Sequence, residues 1–298
     1  MHKSPYLGRF APTPSGHLHF GSLVAALGSF LDARAHGGQW LIRIEDVDRT
    51  RSRREYTQSI LAALAAHGMS SDAPVRVQSE HLEDYEHVLA QLRPHLYPCD
   101  CSRKVWHAAA RVGHLGNIYP GFCRNKPLTR HDNCAIRLRL PPQTLRFADR
   151  HFGAQTHDLQ NDIGDPIVKR RDGDIAYALA VTVDDARQGI TDVVRGADLL
   201  AATPIQQYLQ TLLGYPPLRY LHLPLVLDDN GNKFSKQNHA PALDNRHAAA
   251  NLLRALDFLG QSTDGLAARD SVNHILATAA ARWDTARLGQ NRIYHQTP

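Results

Sequence analysis

Arg9-Phe-Ala-Pro-Thr-Pro-Ser-Gly-His-Leu-His19-Phe-Gly-Ser22 leads from a short apolar strand into a helix. Upstream, Tyr6 to Phe10 reads as a buried strand. Downstream, Gly21 to His36 carries Leu23, Leu27, Phe30 and Leu31 at helical spacing and stops at Gly37-Gly38, and Trp40 to Ile44 reads as a second strand. This is a βαβ unit, and it implies a parallel sheet with helices on its faces. A strand that turns through Pro and Gly into a helix start offers backbone N–H groups and the positive end of a helix dipole, so phosphate is its natural occupant. Gly21 lets a ligand approach the backbone, and His19 can hydrogen-bond a phosphate oxygen whose charge grows during reaction.

Working outward, the capping box Ser52-Arg-Arg-Glu55 predicts a second helix carrying Ile60, Leu61 and Leu64. A third is expected from about Ser79, with Leu82, Tyr85, Leu89 and Leu92 inward, until Pro94 ends it. From Pro98 to about Asp149 the periodicity breaks down except at Ala135 to Leu140, as in an insertion between two halves of a sheet. The second half resumes with Ile167-Val168, a turn at Arg171-Asp-Gly173 and a strand from Ile175 to Val183. A helix follows with Thr203 as N-cap, Pro204 in its first turn, Ile205, Leu209 and Leu212 on its apolar face and Gly214 at its end. Tyr220 to Leu227 reads as the last strand, and two amphipathic helices are expected at Asp244 to Leu259 and about Ser271 to Arg282.

The 298 residues are 43% hydrophobic and 21% charged with a net charge of +5, which excludes disordered and fibrous architectures. The longest apolar run, Ile175 to Val183, is far short of the roughly 20 residues that span a bilayer. The first ten residues lack the apolar region of a secretory signal, so a cytoplasmic protein is expected, with no membrane partner. Basic residues cluster at Arg49, Arg51, Arg53 and Arg54, at Arg124, Lys126 and Arg130, at Arg137 and Arg139, and at Lys169-Arg170-Arg171. They suit either solvated faces or an anionic macromolecule such as RNA.

Two further groups carry chemistry. Lys233-Phe-Ser-Lys236-Gln237 follows the last strand, and a loop with lysines at i and i+3 can close over a triphosphate as pyrophosphate departs. The first and last strands of one parallel sheet would bring this loop and the His19 turn to the same carboxyl edge. Cys99-Asp-Cys101, Tyr119-Pro-Gly-Phe-Cys123 and Cys134 are too few and too clustered for a disulfide framework, and three closely spaced thiolates favour zinc as a clip for a loop-rich insertion. By donor chemistry alone the fourth ligand is Cys134, or a histidine such as His107 or His114.

His19-Phe-Gly-Ser22 resembles the HIGH signature, and Lys233-Phe-Ser-Lys236-Gln237 the KMSKS signature, of class I aminoacyl-tRNA synthetases. Ser replaces the final His of the first; Phe and Gln replace the Met and last Ser of the second. Arg9-Phe-Ala-Pro-Thr-Pro-Ser-Gly16, Arg43-Ile-Glu-Asp-Val-Asp48, Arg171-Asp-Gly-Asp-Ile-Ala-Tyr177 and Gly189-Ile-Thr-Asp-Val-Val-Arg195-Gly-Ala-Asp198 resemble the glutamate-specific branch, over roughly the first 240 residues. The resemblance implies a Rossmann-like α/β fold with helices on both faces of the sheet. It divides into two halves of a nucleotide-binding catalytic domain (1–97 and 150–240), a zinc-containing insertion (98–149) and a short helical C-terminal region (241–298). It implies ATP contacts at His19, Gly21, Ser22 and Lys236, and a catalytic role for His19, Lys233 and Lys236. A glutamate pocket would be built from Arg9, Ala11, Thr13, Glu45, Tyr177 and Arg195. Arg9 would pair with a substrate carboxylate and Glu45 with the ammonium group. Mg2+ would accompany ATP. Cys-x-Cys followed by Tyr-x-x-x-Cys is similar to the zinc knuckle of one subgroup, which implies Cys99, Cys101, Tyr119 and Cys123 as ligands, with Cys134 the rival.

Only 61 residues follow Gln237, too few for the anticodon-binding region of a full-length member. The chain is therefore similar to the short paralogues that activate glutamate as glutamyl-adenylate without tRNA and esterify it to queuosine in the anticodon loop of tRNA(Asp). Conventional charging of a tRNA 3′ end, acyl transfer to a small molecule, and a non-catalytic zinc-containing RNA-binding module are the competing expectations.

Overall fold

The computed structural model describes residues 5–113, 116–126, 133–227 and 241–289, and the backbone of 292–293. The opening unit is β1 (Leu7–Phe10), α1 (Phe20–Ala35) and β2 (Gln39–Ile44), followed by α2 (Arg54–Ala66), β3 (Arg76–Val77) and α3 (Leu82–Gln91). The cysteine-bearing segment contains β4 (Leu96–Cys99), α4 (Arg103–Ala108), β5 (Arg111–Gly113), β6 (Gly116–Ile118) and β7 (Ala135–Leu138). Next come β8 (Thr144–Asp149), β9 (Gly153–Asp158), β10 (Ile167–Lys169), α5 (Tyr177–Arg187), β11 (Asp192–Gly196), α6 (Thr203–Leu213) and β12 (Arg219–Leu223). The chain continues through β13 (Val226–Leu227), α7 (Ala248–Phe258), α8 (Val272–Ala281) and β14 (Arg292–Ile293).

The large sheet runs β3-β2-β1-β11-β12-β8-β9, parallel from β3 to β8 and closed by the antiparallel β8–β9 hairpin. A small antiparallel sheet, β10-β7-β4, carries the cysteine segment. Strand residues alternate between faces. Ile42, Ile44, Val194 and Leu221 join Leu23, Leu27, Leu252 and Ile275 in one core, beneath α1, α7 and α8, while Leu41, Val193 and Tyr220 belong to a separate cluster. Leu179, Val183 and Leu209 of α5 and α6 pack with Tyr85 and Leu89 of α3 in another core. Gly28 lets α1 lie against β12, since a Cβ there would stand 2.5 Å from Leu223 Cδ1. Buried Asp32 on α1 accepts hydrogen bonds from Tyr6, both terminal nitrogens of Arg150, and Trp283 beyond α8, and so ties the two ends of the chain together. Among the described residues no helix is long and apolar enough to cross a membrane.

Several local expectations need correction. Ile175 to Val183 is not a strand: Ile175 makes one bridge and α5 begins at Tyr177. An unbroken apolar run has no period to separate buried strand from buried helix, and its alanines, packed on α3 and α6, favour the helix. Ser52 does not cap α2. A turn at Asp48, whose carbonyl accepts the Ser52 N–H at 3.0 Å, uses up that residue, and the helix starts at Arg54 without a side-chain cap. Ala202, preceded by a 3-10 turn, takes the N-cap of α6 in place of Thr203, while Gly214 ends that helix at φ 66° as expected. α3 begins at Leu82, which is 44% exposed rather than inward. The last strand is broken at Pro224, which has no N–H to give the ladder.

Candidate active site

A cleft of about 550 Å³ opens between the N-terminus of α1 and the carboxyl ends of β1, β11 and β12. Its wall brings together Arg9, Ala11, Thr13, His19, Gly21, Ser22, Tyr177 and Arg195, from segments far apart in the chain. The Pro-rich turn that carries three of them, Ala11, Thr13 and His19, is fixed at both sides: Glu45 N–H donates to the Pro12 carbonyl and Arg53 N–H to that of Pro14, each at 3.0 Å. His19 is the N-cap of α1 but caps nothing with its side chain, and no acidic residue occupies the first turn. The amide end of the helix therefore meets the cleft with its positive potential uncompensated from within the helix, where an anion gains most.

Beneath the wall lies a buried ionic network. Arg9 is 3% exposed and donates from Nε and Nη2 to Asp185 at 3.0 and 3.3 Å. Asp185 also accepts from Arg43 Nη1 at 2.7 Å, and Arg43 Nη2 donates to Glu45 at 3.1 Å. Burial alone would raise the Asp185 carboxyl, but Arg9 and Arg43 overcome it and hold the group below the usual carboxylate range. For Glu45 burial wins over Arg43 and Arg9, and its carboxyl is raised. Glu45 does not line the cleft. Unlike the other expected pocket residues, it stands behind the wall with Arg43 as partner.

On the opposite wall, Arg195 donates to His222 from Nε at 3.1 Å, to Thr203 from Nη2 at 2.9 Å and to the Tyr177 hydroxyl from Nη1 at 3.4 Å. Burial raises the Tyr177 phenol, with Arg195 opposing it. Asp198 shares this wall. Lys233 and Lys236, expected to meet the phosphates, lie outside the described residues, as does His114. Sequence reasoning missed Asp185, Asp149 and His222. The available signals were the acidic pair Asp184-Asp185 closing an apolar run and a histidine inside the apolar strand Tyr220-Leu-His-Leu223.

The cysteine cluster stands apart from the cleft's lining residues. The sulfurs of Cys99, Cys101 and Cys123 lie within 4.8 Å of one another, with 3.5 Å between those of Cys101 and Cys123. The Tyr119 hydroxyl is 3.4 and 3.5 Å from the sulfurs of Cys99 and Cys101 and accepts the Cys123 backbone N–H at 3.0 Å. Thiolates about 2.3 Å from a tetrahedral zinc stand about 3.8 Å apart, so these donors fit such an ion. Neither Cys134 nor His107 joins the group; the His107 ring is 3.0 Å from the Asn117 amide. The Arg137 guanidinium sits 3.6 Å over the Tyr119 ring, a cation that favours a negatively charged cluster.

Residues 7–260 match the model of the catalytic domain of class I tRNA synthetases (E and Q). Over 287 residues, 96% of either chain, the sequence is 50% identical to a glutamyl-Q tRNA(Asp) synthetase of Pseudomonas aeruginosa (strain LESB58). It is 47% identical over 292 residues to one of Pseudomonas putida (strain KT2440), covering 97% of this chain and 95% of that one. Among solved structures, a glutamate-tRNA synthetase from Elizabethkingia anophelis superposes with a TM-score of 0.79 at 22% identity, over 98% of this chain and 68% of that one, which speaks to the fold. With the synthetase model matching most of its length and with relatives at half identity, the chain belongs to the class I tRNA synthetase (E and Q) family and is a ligase.

Proposed function

We propose that the protein activates L-glutamate with ATP in the absence of tRNA and transfers the glutamyl group to queuosine in the anticodon loop of tRNA(Asp). The observation that carries the activation step is one cleft bounded by an uncapped helix N-terminus and two buried arginines, Arg9 and Arg195. An amino acid with two carboxylates and a triphosphate need that distribution of positive charge. The choice of acceptor is supported by the relatives named glutamyl-Q tRNA(Asp) synthetase.

In this reading the α-carboxylate oxygen of glutamate attacks the α-phosphorus of ATP, the bond to the bridging oxygen breaks, and pyrophosphate leaves. No protein nucleophile is required, so catalysis is positioning and charge neutralisation. Arg9 and Arg195 hold carboxylate, with Ala11 and Thr13 shaping the pocket and Tyr177 bounding the side chain, while Glu45, held by Arg43 behind the wall, acts on the pocket only through that arginine. Gly21 and Ser22 offer amides to the phosphates, and His19 donates to the α-phosphate as its charge grows, with Lys233 and Lys236 acting on the departing pyrophosphate. Mg2+ bound with ATP supplies further neutralisation there. A hydroxyl of the queuosine cyclopentenediol then attacks the acyl carbonyl and AMP departs. Zinc held by Cys99, Cys101, Tyr119 and Cys123 is structural, and the protein works in the cytoplasm.

Labelled glutamate offered with ATP to queuosine-containing and queuosine-free tRNA(Asp) tests the acceptor. Transfer should need queuosine and survive removal of the 3′-terminal adenosine. Transfer that needs the 3′-terminal adenosine and ignores queuosine would mean conventional charging.

A further inference from the structure

Arg195 donates from Nε to His222 and from Nη2 to Thr203 and the Leu199 carbonyl, which leaves Nη1, 3.4 Å from the cleft-lining Tyr177 hydroxyl, as the nitrogen with a donor to spare for a ligand. His222 is fully buried and bridges Arg195 to Asp149, its Nδ1 2.7 Å from Asp149 Oδ2 and its Nε2 3.1 Å from Arg195 Nε. Neither Asp149 nor His222 lines the cleft. Asp149 stands on β8, at the far side of β12, and its other oxygen accepts the backbone N–H groups of His151 and Phe152 at 3.0 and 2.9 Å.

The two ends of this chain fix its middle. A guanidinium can only donate, and an ionised carboxylate can only accept. The imidazole between them satisfies both in one state: neutral, with the proton on Nδ1 and the lone pair of Nε2 toward Arg195. A proton on Nε2 would set two N–H groups against each other, with only the Thr203 hydroxyl at 3.4 Å able to accept it, and if Nδ1 kept its proton as well it would add a second cation beside the guanidinium. The charged and titratable groups around the ring are Asp149 on β8, Arg195 on β11, Asp198 on the following turn and Tyr220 on the same strand, stacked at 6.1 Å. Burial and Arg195 lower the affinity of the ring for a proton, and together they outweigh Asp149.

We infer that Asp149 and His222 are positioning residues for the acidic amino-acid substrate, holding Arg195 through a single histidine tautomer so that Nη1 faces the cleft. The inference rests on the glutamate-activation reading. It separates the two nitrogens of His222 by function, and amide side chains can imitate them one at a time. Gln at 222 extends an amide to the place of Nε2 and can accept from Arg195. Asn at 222 reaches only the place of Nδ1 and leaves Arg195 Nε without its acceptor. Asn at 149 can donate to Nδ1, which turns the ring to the Nε2–H tautomer; the same reversal disables histidine in the Ser-His-Asp triad.

Glutamate-dependent ATP–pyrophosphate exchange without tRNA reads the effect. His222→Asn and Asp149→Asn should raise KM for glutamate about tenfold with KM for ATP within about twofold of wild type, while His222→Gln stays within about threefold for both. Equal losses in His222→Asn and His222→Gln, or an unchanged glutamate KM in a folded His222→Asn, would overturn the inference. Should the variants not fold, 15N NMR of wild-type histidine, with His222 assigned through its contact with Tyr220, decides. The inference requires the Nδ1–H tautomer at pH 7 and above, and an Nε2–H or doubly protonated ring at pH 7 refutes it. Absence of glutamate exchange in the wild type would defeat the functional reading, and is told apart because the NMR signature would remain.

Discussion

Asp185→Asn removes the carboxylate that separates two buried arginines while keeping the volume of the side chain. In the wild type, Asp185 accepts from Arg9 at 3.0 Å and from Arg43 at 2.7 Å, and its side chain is 4% exposed. The ionic group beneath the cleft comprises Arg9, Arg43 and Arg76 with Glu45, Asp184 and Asp185, so its charges balance. An amide at 185 leaves one positive charge in excess and faces part of its surface to a donor with another donor. Breaking a buried pair from one side costs about 3–5 kcal/mol. For a chain of this size that is a fall in Tm of roughly 6–20 °C, read by thermal unfolding followed by circular dichroism. Arg43→Met in the Asp185→Asn background restores the balance, so the double variant should be more stable than the sum of the singles by about 1–3 kcal/mol. Released from Asp185, Arg9 should also lose its aim, and KM for glutamate should rise by more than KM for ATP. A Tm within about 2 °C of wild type, or strictly additive effects with Arg43→Met, would show that Asp185 does not balance the two arginines, because an uncompensated buried charge costs far more than that.

Burial lowers the proton affinity of His67 and His222, so both contribute stability that is fully present above pH 6.5, the ordinary histidine value, and fades as pH falls below it through their lowered values. Asp32, Asp149 and Asp185 have lowered carboxyls, and their contribution is present above pH 3.8 and lost below it; Glu45, with a raised carboxyl, acts in the opposite sense. Denaturant titrations from pH 7.5 to pH 3 should show an early decline beginning near pH 6.5, and a flat profile down to pH 4 would contradict these assignments. Cys123→Ser should lower zinc per chain in elemental analysis from one to well below one, whereas Cys134→Ser should leave it unchanged; equal loss in both would implicate Cys134 as a ligand. Gly28→Val forces side-chain atoms into Leu223 at the foot of the cleft and should cost about 1–3 kcal/mol or more, measured by urea unfolding.

The parts of the fold legible in the sequence were those fixed by local signals. Helical spacing in Leu23, Leu27, Phe30 and Leu31, ended by Gly37-Gly38, gave α1, and the Pro/Gly turn before it gave the end of the cleft that the N-terminus of α1 borders. Cysteine spacing pointed to Cys99, Cys101 and Cys123 as one group, whereas Tyr119, whose hydroxyl stands 3.4 and 3.5 Å from two of their sulfurs, was suggested by the family resemblance and not by donor chemistry. The helix α5 was hidden because an unbroken apolar stretch has no period. The supports of the two arginines were hidden for a different reason. Arg9 meets Asp185 across 176 positions and His222 meets Asp149 across 73, and no local pattern encodes such pairs. Glu45 shows the limit of motif reading: its place in Arg43-Ile-Glu45 was apparent, but its distance behind the cleft wall follows from β2 lying one strand further along the sheet.

In the proposed reading this cleft joins ATP to an acidic amino acid before any RNA is bound. Exchange of labelled pyrophosphate into ATP by zinc-loaded protein, with each of the twenty amino acids in turn and tRNA absent, tests it most directly. Exchange with glutamate alone is the result expected. No exchange with glutamate, or exchange that appears only after tRNA is added, would contradict it.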